Sequence, residues 1–207
     1  MFDDLRRQLD DRRVPHRAVR LPGDEAPPLE GALAIVPDDG GFDLVTIDYG
    51  RTVPLGRADD ESSAAALLLD YLDRPLPAPR RITGDEYRAL AASTAAQADE
   101  LRPRLTEGSL LIQLPAGLAV DRIGALDGVM LFPAETSVEE RALPATALTD
   151  DAHLHRFLTA ADVLVRAEIV APWFGQPGGG VRFTLAEDFV GVRDLVVGGA
   201  LERVEVD

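Results

Sequence analysis

The chain has 207 residues, of which 36 are Asp or Glu and 21 are basic, giving a formal net charge of -15; every basic side chain is Arg. No cysteine is present, which excludes disulfides, thiolate nucleophiles and cysteine-ligated zinc. The acidic excess runs through both halves and argues against nucleic acid or an anionic membrane as the main partner, so any anionic ligand must be held by local arginines.

No run approaches the roughly 18 to 20 apolar residues of a membrane helix, and the opening MFDDLRRQLDD is too charged for a signal peptide. The expectation is a soluble protein, cytoplasmic or exported without a classical signal peptide. Phe2, Leu5 and Leu9 fall at helical spacing until Pro15, which predicts a short amphipathic helix. ALAIV (32–36) and FDLVTI (42–47) then flank PDDGG, a hairpin signal, and YGR (49–51) turns the chain into TVPLGR. Asp59 or Asp60 can cap a helix through SSAAALLLDYL, packed on this meander.

Residues 1–80 thus read as a small α+β accessory unit that ends in a proline-rich linker, RPLPAPRR. Thr83 followed by Glu86 is the pattern of a capping box, opening an alanine-rich helix that runs to about Leu101 before Pro103 stops it. Over 81–104 this helix is expected to bridge two units. Residues 105–207 then break into short apolar runs between turn residues: SLLIQLP, LAVDRIG, GVMLFP, ADVLVRAEIV, VRFTL and ALERVEV, with room for a short helix between Ala186 and Val197. The fold class expected is α+β, a meander unit followed by an antiparallel-sheet-rich domain.

Within APWFGQPGGGVRF (171–183), Pro172 and Pro177 stiffen the chain around Gln176, and Gly178 to Gly180 allow positive φ and close backbone approach to a ligand. Trp173 and Phe174 add flat apolar surface suited to stacking a heteroaromatic ring. The alternative is a tight crossover whose Trp fills core and whose Gln caps a turn. Arg122, on VDRIG, and Arg141, on VEERALP, are candidate anion ligands, although either alone reads as a structural or solvated arginine. His153 and His155 lie two apart on a predicted strand and point the same way, but lack a third matched ligand, so no metal site is expected.

The order VDRIG, GVMLFP, ERALP, LHRF and APWFGQPGGGVRF resembles the tuberculosis necrotizing toxin (TNT) family, whose members hydrolyse NAD at the nicotinamide-ribose bond. The resemblance covers roughly residues 105–207. It implies a TNT-like sheet-rich α+β domain in which Arg122 and Arg141 engage the phosphates or ribose, Gln176 is required for activity, and His155 contacts the ligand or orients another group. Met130 stands where the family usually has an aromatic residue, so either Phe132 or Trp173 supplies the missing surface or substrate affinity is reduced. The implied substrate is NAD or NADP, consumed and not carried as a cofactor, consistent with the absence of a G-x-G-x-x-G turn.

The implied activity releases nicotinamide and ADP-ribose, as a toxin or effector held in check by an inhibitory immunity protein. A catalytically weakened protein that binds NAD or a partner is the alternative, motivated by Met130. The N-terminal unit would then be an adaptor, a docking surface or a restraint.

Overall fold

Phe2, Leu5 and Leu9 are all buried, and the helix their spacing predicts is α1 (Asp3–Asp11). The computed structural model describes residues 2–144, 147–148 and 152–207, which form four helices and twelve strands. β1 (Val19–Arg20), β2 (Ala32–Asp38), β3 (Gly41–Asp48) and β4 (Arg51–Ala58) make one sheet in that order, with β1 parallel to β2 and the other pairs antiparallel. The β2–β3 hairpin closes on Asp38 and Gly41, leaving Asp39–Gly40 as its turn, the dipeptide most suited to a two-residue loop. The β3–β4 hairpin closes on Asp48 and Arg51, leaving Tyr49–Gly50. Helix α2 (Glu61–Leu72) begins at Asp60, whose carboxylate accepts from the Ser63 amide at 2.7 Å, and its Leu68 joins Leu5, Leu33, Ile35 and Leu44 in the first core.

The proline-rich stretch expected to be a linker ends as a strand. β5 (Arg80–Ile82) pairs in parallel with the last strand, β12 (Leu201–Val206), at the edge of a second sheet. That sheet has eight strands in the order β5-β12-β9-β7-β8-β11-β10-β6. The remaining members are β6 (Leu110–Leu114), β7 (Ala119–Gly124), β8 (Met130–Pro133), β9 (His153–Thr159), β10 (Val163–Ile169) and β11 (Val181–Leu185), and all neighbours except β5 and β12 run antiparallel. The expected mixture of helix and antiparallel-rich sheet is therefore present, and α4 (Val192–Val197) is the short helix foreseen near the C-terminus.

Helix α3 (Gly84–Leu105) starts at Thr83, whose hydroxyl accepts from the Glu86 amide at 3.2 Å. It departs from expectation at its far end, continuing through Pro103 to Leu105. A proline in the last turn forfeits a single backbone donor, and the burial of Leu105 in the large core offsets that loss. Helix α3 lies on β7, β8 and β10 of the large sheet. Besides the contacts of the Asp48–Arg51 turn, loop backbone and α4 join the units. The Ala125 amide donates to Glu30 O at 2.8 Å, Arg193 pairs with Asp127 at 2.5 Å and reaches Leu72 O, and the Tyr71 hydroxyl donates to Asp194 at 3.1 Å.

Candidate functional site

Between β10 and β11 the chain makes a second aromatic–glycine hairpin. Trp173 and Gln176 exchange backbone hydrogen bonds at 3.2 and 2.8 Å, which leaves Phe174 and Gly175 as the loop, with φ of 49° and 76°. Two positive φ values in a two-residue loop define a type I′ turn, for which Asn-Gly is the usual choice; a Phe there costs about 1 kcal/mol. The following glycines are stitched on both sides. Gly178 N donates to Glu139 O at 3.1 Å, Gly179 N to Val170 O at 2.8 Å and Gly180 N to Glu140 O at 3.0 Å. Gly178 also has φ 66°, and a side chain there would meet the Val170 and Ala171 carbonyls. The backbone of Gln176 is thus held between its own hairpin and the segment leading into Arg141. Trp173 does not fill core: it stacks on Phe174 at 4.1 Å, and the two side chains stand 45% and 53% exposed.

Arg122 and Arg141 are both internal, each 1% exposed. Arg141 lies in a turn after Ser137, not on a strand. Its Nε donates to Thr136 O at 2.8 Å, one terminal nitrogen donates to Asp121 at 2.5 Å, and the guanidinium sits 4.7 Å from the centre of the Phe132 ring. The other terminal nitrogen, Nη1, is buried without a hydrogen-bond partner among the described residues. Burial holds the Asp121 carboxyl above the usual carboxylate range even with Arg141 beside it.

Every nitrogen of Arg122, on β7, has a partner. Its Nε donates to Ala125 O at 2.7 Å, Nη1 to Met130 O at 3.0 Å, and the two terminal nitrogens to the two oxygens of Asp48 at 3.0 and 3.1 Å. The same Asp48 carboxylate accepts from the Val129 and Met130 amides at 2.8 and 2.9 Å. Gly31 and Gly128 leave the space: a Cβ on either would overlap the guanidinium. Burial alone would lower the Arg122 pKa, but Asp48 outweighs it and holds the guanidinium above its ordinary value.

Next along the chain, the Tyr49 ring lies 5.6 Å from Phe132 and 5.5 Å from the Arg182 guanidinium, and its hydroxyl is buried without a partner among the described residues. Gly50 lies directly beneath the Trp173 indole, close enough that a Cβ would collide with it. The Asp48–Gly50 stretch of the N-terminal unit therefore meets Arg122, Phe132 and Trp173 in turn.

Met130 contributes backbone to this arrangement; its side chain is wholly buried. His155 is the cross-strand partner of Arg122, which puts both side chains on one face of the sheet. Its Nε2 lies 3.1 Å from Gly124 O, so that nitrogen carries the proton, and it bonds neither to Gln176 nor to an arginine. His155 and His153, with ring centres 6.2 Å apart, line a cleft of about 520 Å³ between the units, shared with Leu72, Asp127 and Arg193. Burial, reinforced by the Arg122 charge, pushes the His155 pKa down to about 4. Among the described residues no group of three His, Cys, Asp or Glu is placed to hold a metal. Sequence reasoning missed Asp48, Tyr49 and Asp121. The available signal was the turn itself: like Phe174, Tyr49 has φ 49°, a bulky aromatic where the turn favours Asn or Gly.

Residues 113–204 match the family described as Tuberculosis necrotizing toxin. The chain is 33% identical over 97 residues to the conidial surface nicotinamide adenine dinucleotide glycohydrolase nadA of Aspergillus fumigatus, an alignment covering 44% of this chain and 40% of that protein. It therefore spans about two fifths of the length of that relative. Among solved structures, tuberculosis necrotizing toxin complexed with its immunity factor aligns at 28% identity over 49% of this chain and 51% of that chain, with a TM-score of 0.36.

Removing one partner of the Asp48–Arg122 pair strands the other in the interior. Arg122→Met should lower the unfolding free energy by about 3–5 kcal/mol in urea titration, while Arg122→Met with Asp48→Leu should recover most of it; a single variant within 1 kcal/mol of wild type would show the pair to be dispensable. The unfolded His155 takes its proton near pH 6.5, whereas the folded one resists until about 4, so the unfolded state binds more protons in between. His155 then contributes stability that is fully present above about pH 6.5 and lost as the pH falls towards 4, on the order of 2–3 kcal/mol. Urea midpoints of wild type should drop more steeply across that window than those of His155→Gln; parallel curves would contradict a neutral, buried imidazole.

Proposed function

From the match of residues 113–204 to the tuberculosis necrotizing toxin family, we propose that the protein is an NAD(P) glycohydrolase that cleaves the nicotinamide-ribose bond with water, yielding nicotinamide, ADP-ribose and a proton. The observation that carries this reading is the stitching of the Gln176 hairpin to Glu139 and Glu140, immediately before Arg141. The similarity of this part of the chain to a fungal NAD glycohydrolase supports the same substrate.

The leaving pyridine is already cationic in the substrate, so its departure needs no general acid, unlike ordinary glycoside hydrolysis with its pair of carboxyl groups. What the site must supply is position and charge. The Gln176 carbonyl can accept from a ribose hydroxyl or from the attacking water, and its rigid backbone keeps that acceptor oriented. The Nη1 of Arg141, without a hydrogen-bond partner among the described residues, is a charged donor suited to a phosphate or ribose oxygen, whereas the fork of Arg122, held by Asp48, is open to a second phosphate only when that carboxylate is displaced. The Trp173–Phe174 pair offers an exposed face for a heteroaromatic ring. An enzyme of this kind would drain an essential pool of its own cell, which favours a toxin or effector role and an inhibitory immunity protein as partner.

A second reading, binding of the dinucleotide without turnover, draws on the saturation of Arg122 by Asp48. Nicotinamide release from NAD and NADP separates the two. Turnover by the wild-type protein should fall at least about a hundredfold in Gln176→Ala. Equal release by both proteins would remove the hydrolase assignment from this loop, and calorimetric NAD binding with no release by either would favour the second reading.

A further inference from the structure

Asp48 sits in what is, chemically, an anion site. Four N–H groups of the C-terminal domain converge on its carboxylate, two from the Arg122 guanidinium in a forked arrangement and two from consecutive backbone amides, Val129 and Met130. A guanidinium fork beside paired amides, with Gly128 opening the approach, is how proteins hold one face of a phosphate. The residue that follows, Tyr49, presents a flat ring between Phe132 and Arg182, and its hydroxyl and the Arg141 Nη1 both lack hydrogen-bond partners among the described residues. An anion and an aromatic ring in consecutive positions reproduce the two features of a nucleotide: a charged group and a flat heterocycle. The turn adds a second carboxylate, since the Tyr49 amide donates to Glu30. With Asp48 in place, its carboxylate takes up the four N–H groups that a phosphate would need.

We propose that the β3–β4 turn, Asp48 to Arg51, is a built-in ligand mimic that occupies the dinucleotide site of the C-terminal domain, with Asp48 in the place of a phosphate and Tyr49 in the place of a ring. This rests on the hydrolase reading only for the identity of the ligand. The turn is fastened at its rim by contacts that can be altered without touching the cradle: Arg51 pairs with Glu168 at 3.7 Å in a half-exposed position, and Glu168 also holds Arg182 at 2.8 Å.

The test compares full-length wild type, Asp48→Asn and Arg51→Glu, the last bringing two carboxylates together to push the turn outwards. Binding of ADP-ribose by calorimetry and nicotinamide release are measured on each, with circular dichroism to establish that the variants fold. ADP-ribose affinity should rise at least about tenfold in Asp48→Asn and several-fold in Arg51→Glu, and turnover should rise with it. Should Asp48→Asn not fold, Arg51→Glu alone decides. Affinity that is unchanged or weaker in the folded variants overturns the mimic and makes Asp48 a fixed support for Arg122. Tighter ADP-ribose binding without nicotinamide release from any protein retains the mimic and removes the hydrolase reading.

Discussion

A charged pair that never meets water organises this molecule. Asp48 and Arg122 come from different sheets, and either one buried without the other would be an uncompensated charge in the interior. The guanidinium finds two carbonyl oxygens besides the carboxylate, and the carboxylate finds two amides besides the guanidinium, so the desolvation of both is offset by hydrogen bonds to every nitrogen of one and both oxygens of the other. This geometry leaves little freedom around it. It requires glycine at positions 31 and 128, fixes the end of β3 against the β7–β8 connection, and carries Tyr49 into the large core beside Phe132.

From that anchor the rest of the site can be assembled. The Tyr49–Gly50 turn lies under Trp173, and Trp173 belongs to the hairpin that holds Gln176. Two hairpins of the same unusual composition, an aromatic followed by glycine with both residues at positive φ, therefore meet face to face. Each stores a modest strain that Asn-Gly would relieve. The rings retained at that cost are Phe174, stacked on Trp173 at the surface, and Tyr49, inserted between Phe132 and Arg182.

Local signals made most elements readable from the chain itself. Asp39–Gly40 closes its hairpin, Asp60 and Thr83 cap their helices through the donors expected of them, and the apolar runs after Gly108 become strands because each is short and bounded by turn residues. What failed to show was long-range. Nothing local says that RPLPAPRR ends as a strand beside β12, since a parallel pairing across more than a hundred residues leaves no periodic trace. Pro103 was overridden by the burial of Leu105, a tertiary effect. Gln176, Arg122 and Arg141 could be singled out by pattern, but the groups that set their state, Asp48 and Asp121, could not. A buried carboxylate in the sequence looks like any other acidic residue in an acidic protein.

The pairing of β5 with β12 has a mechanical consequence. It pins the chain at Arg80, so the covalent connection from the N-terminal unit to the large sheet is residues 73–79, between the end of α2 and the start of β5. Seven residues reach roughly 25 Å at full extension. A leash that short keeps the unit at a local concentration in the millimolar range or above, so any free molecule competing for the ground it covers contends with a neighbour that cannot diffuse away.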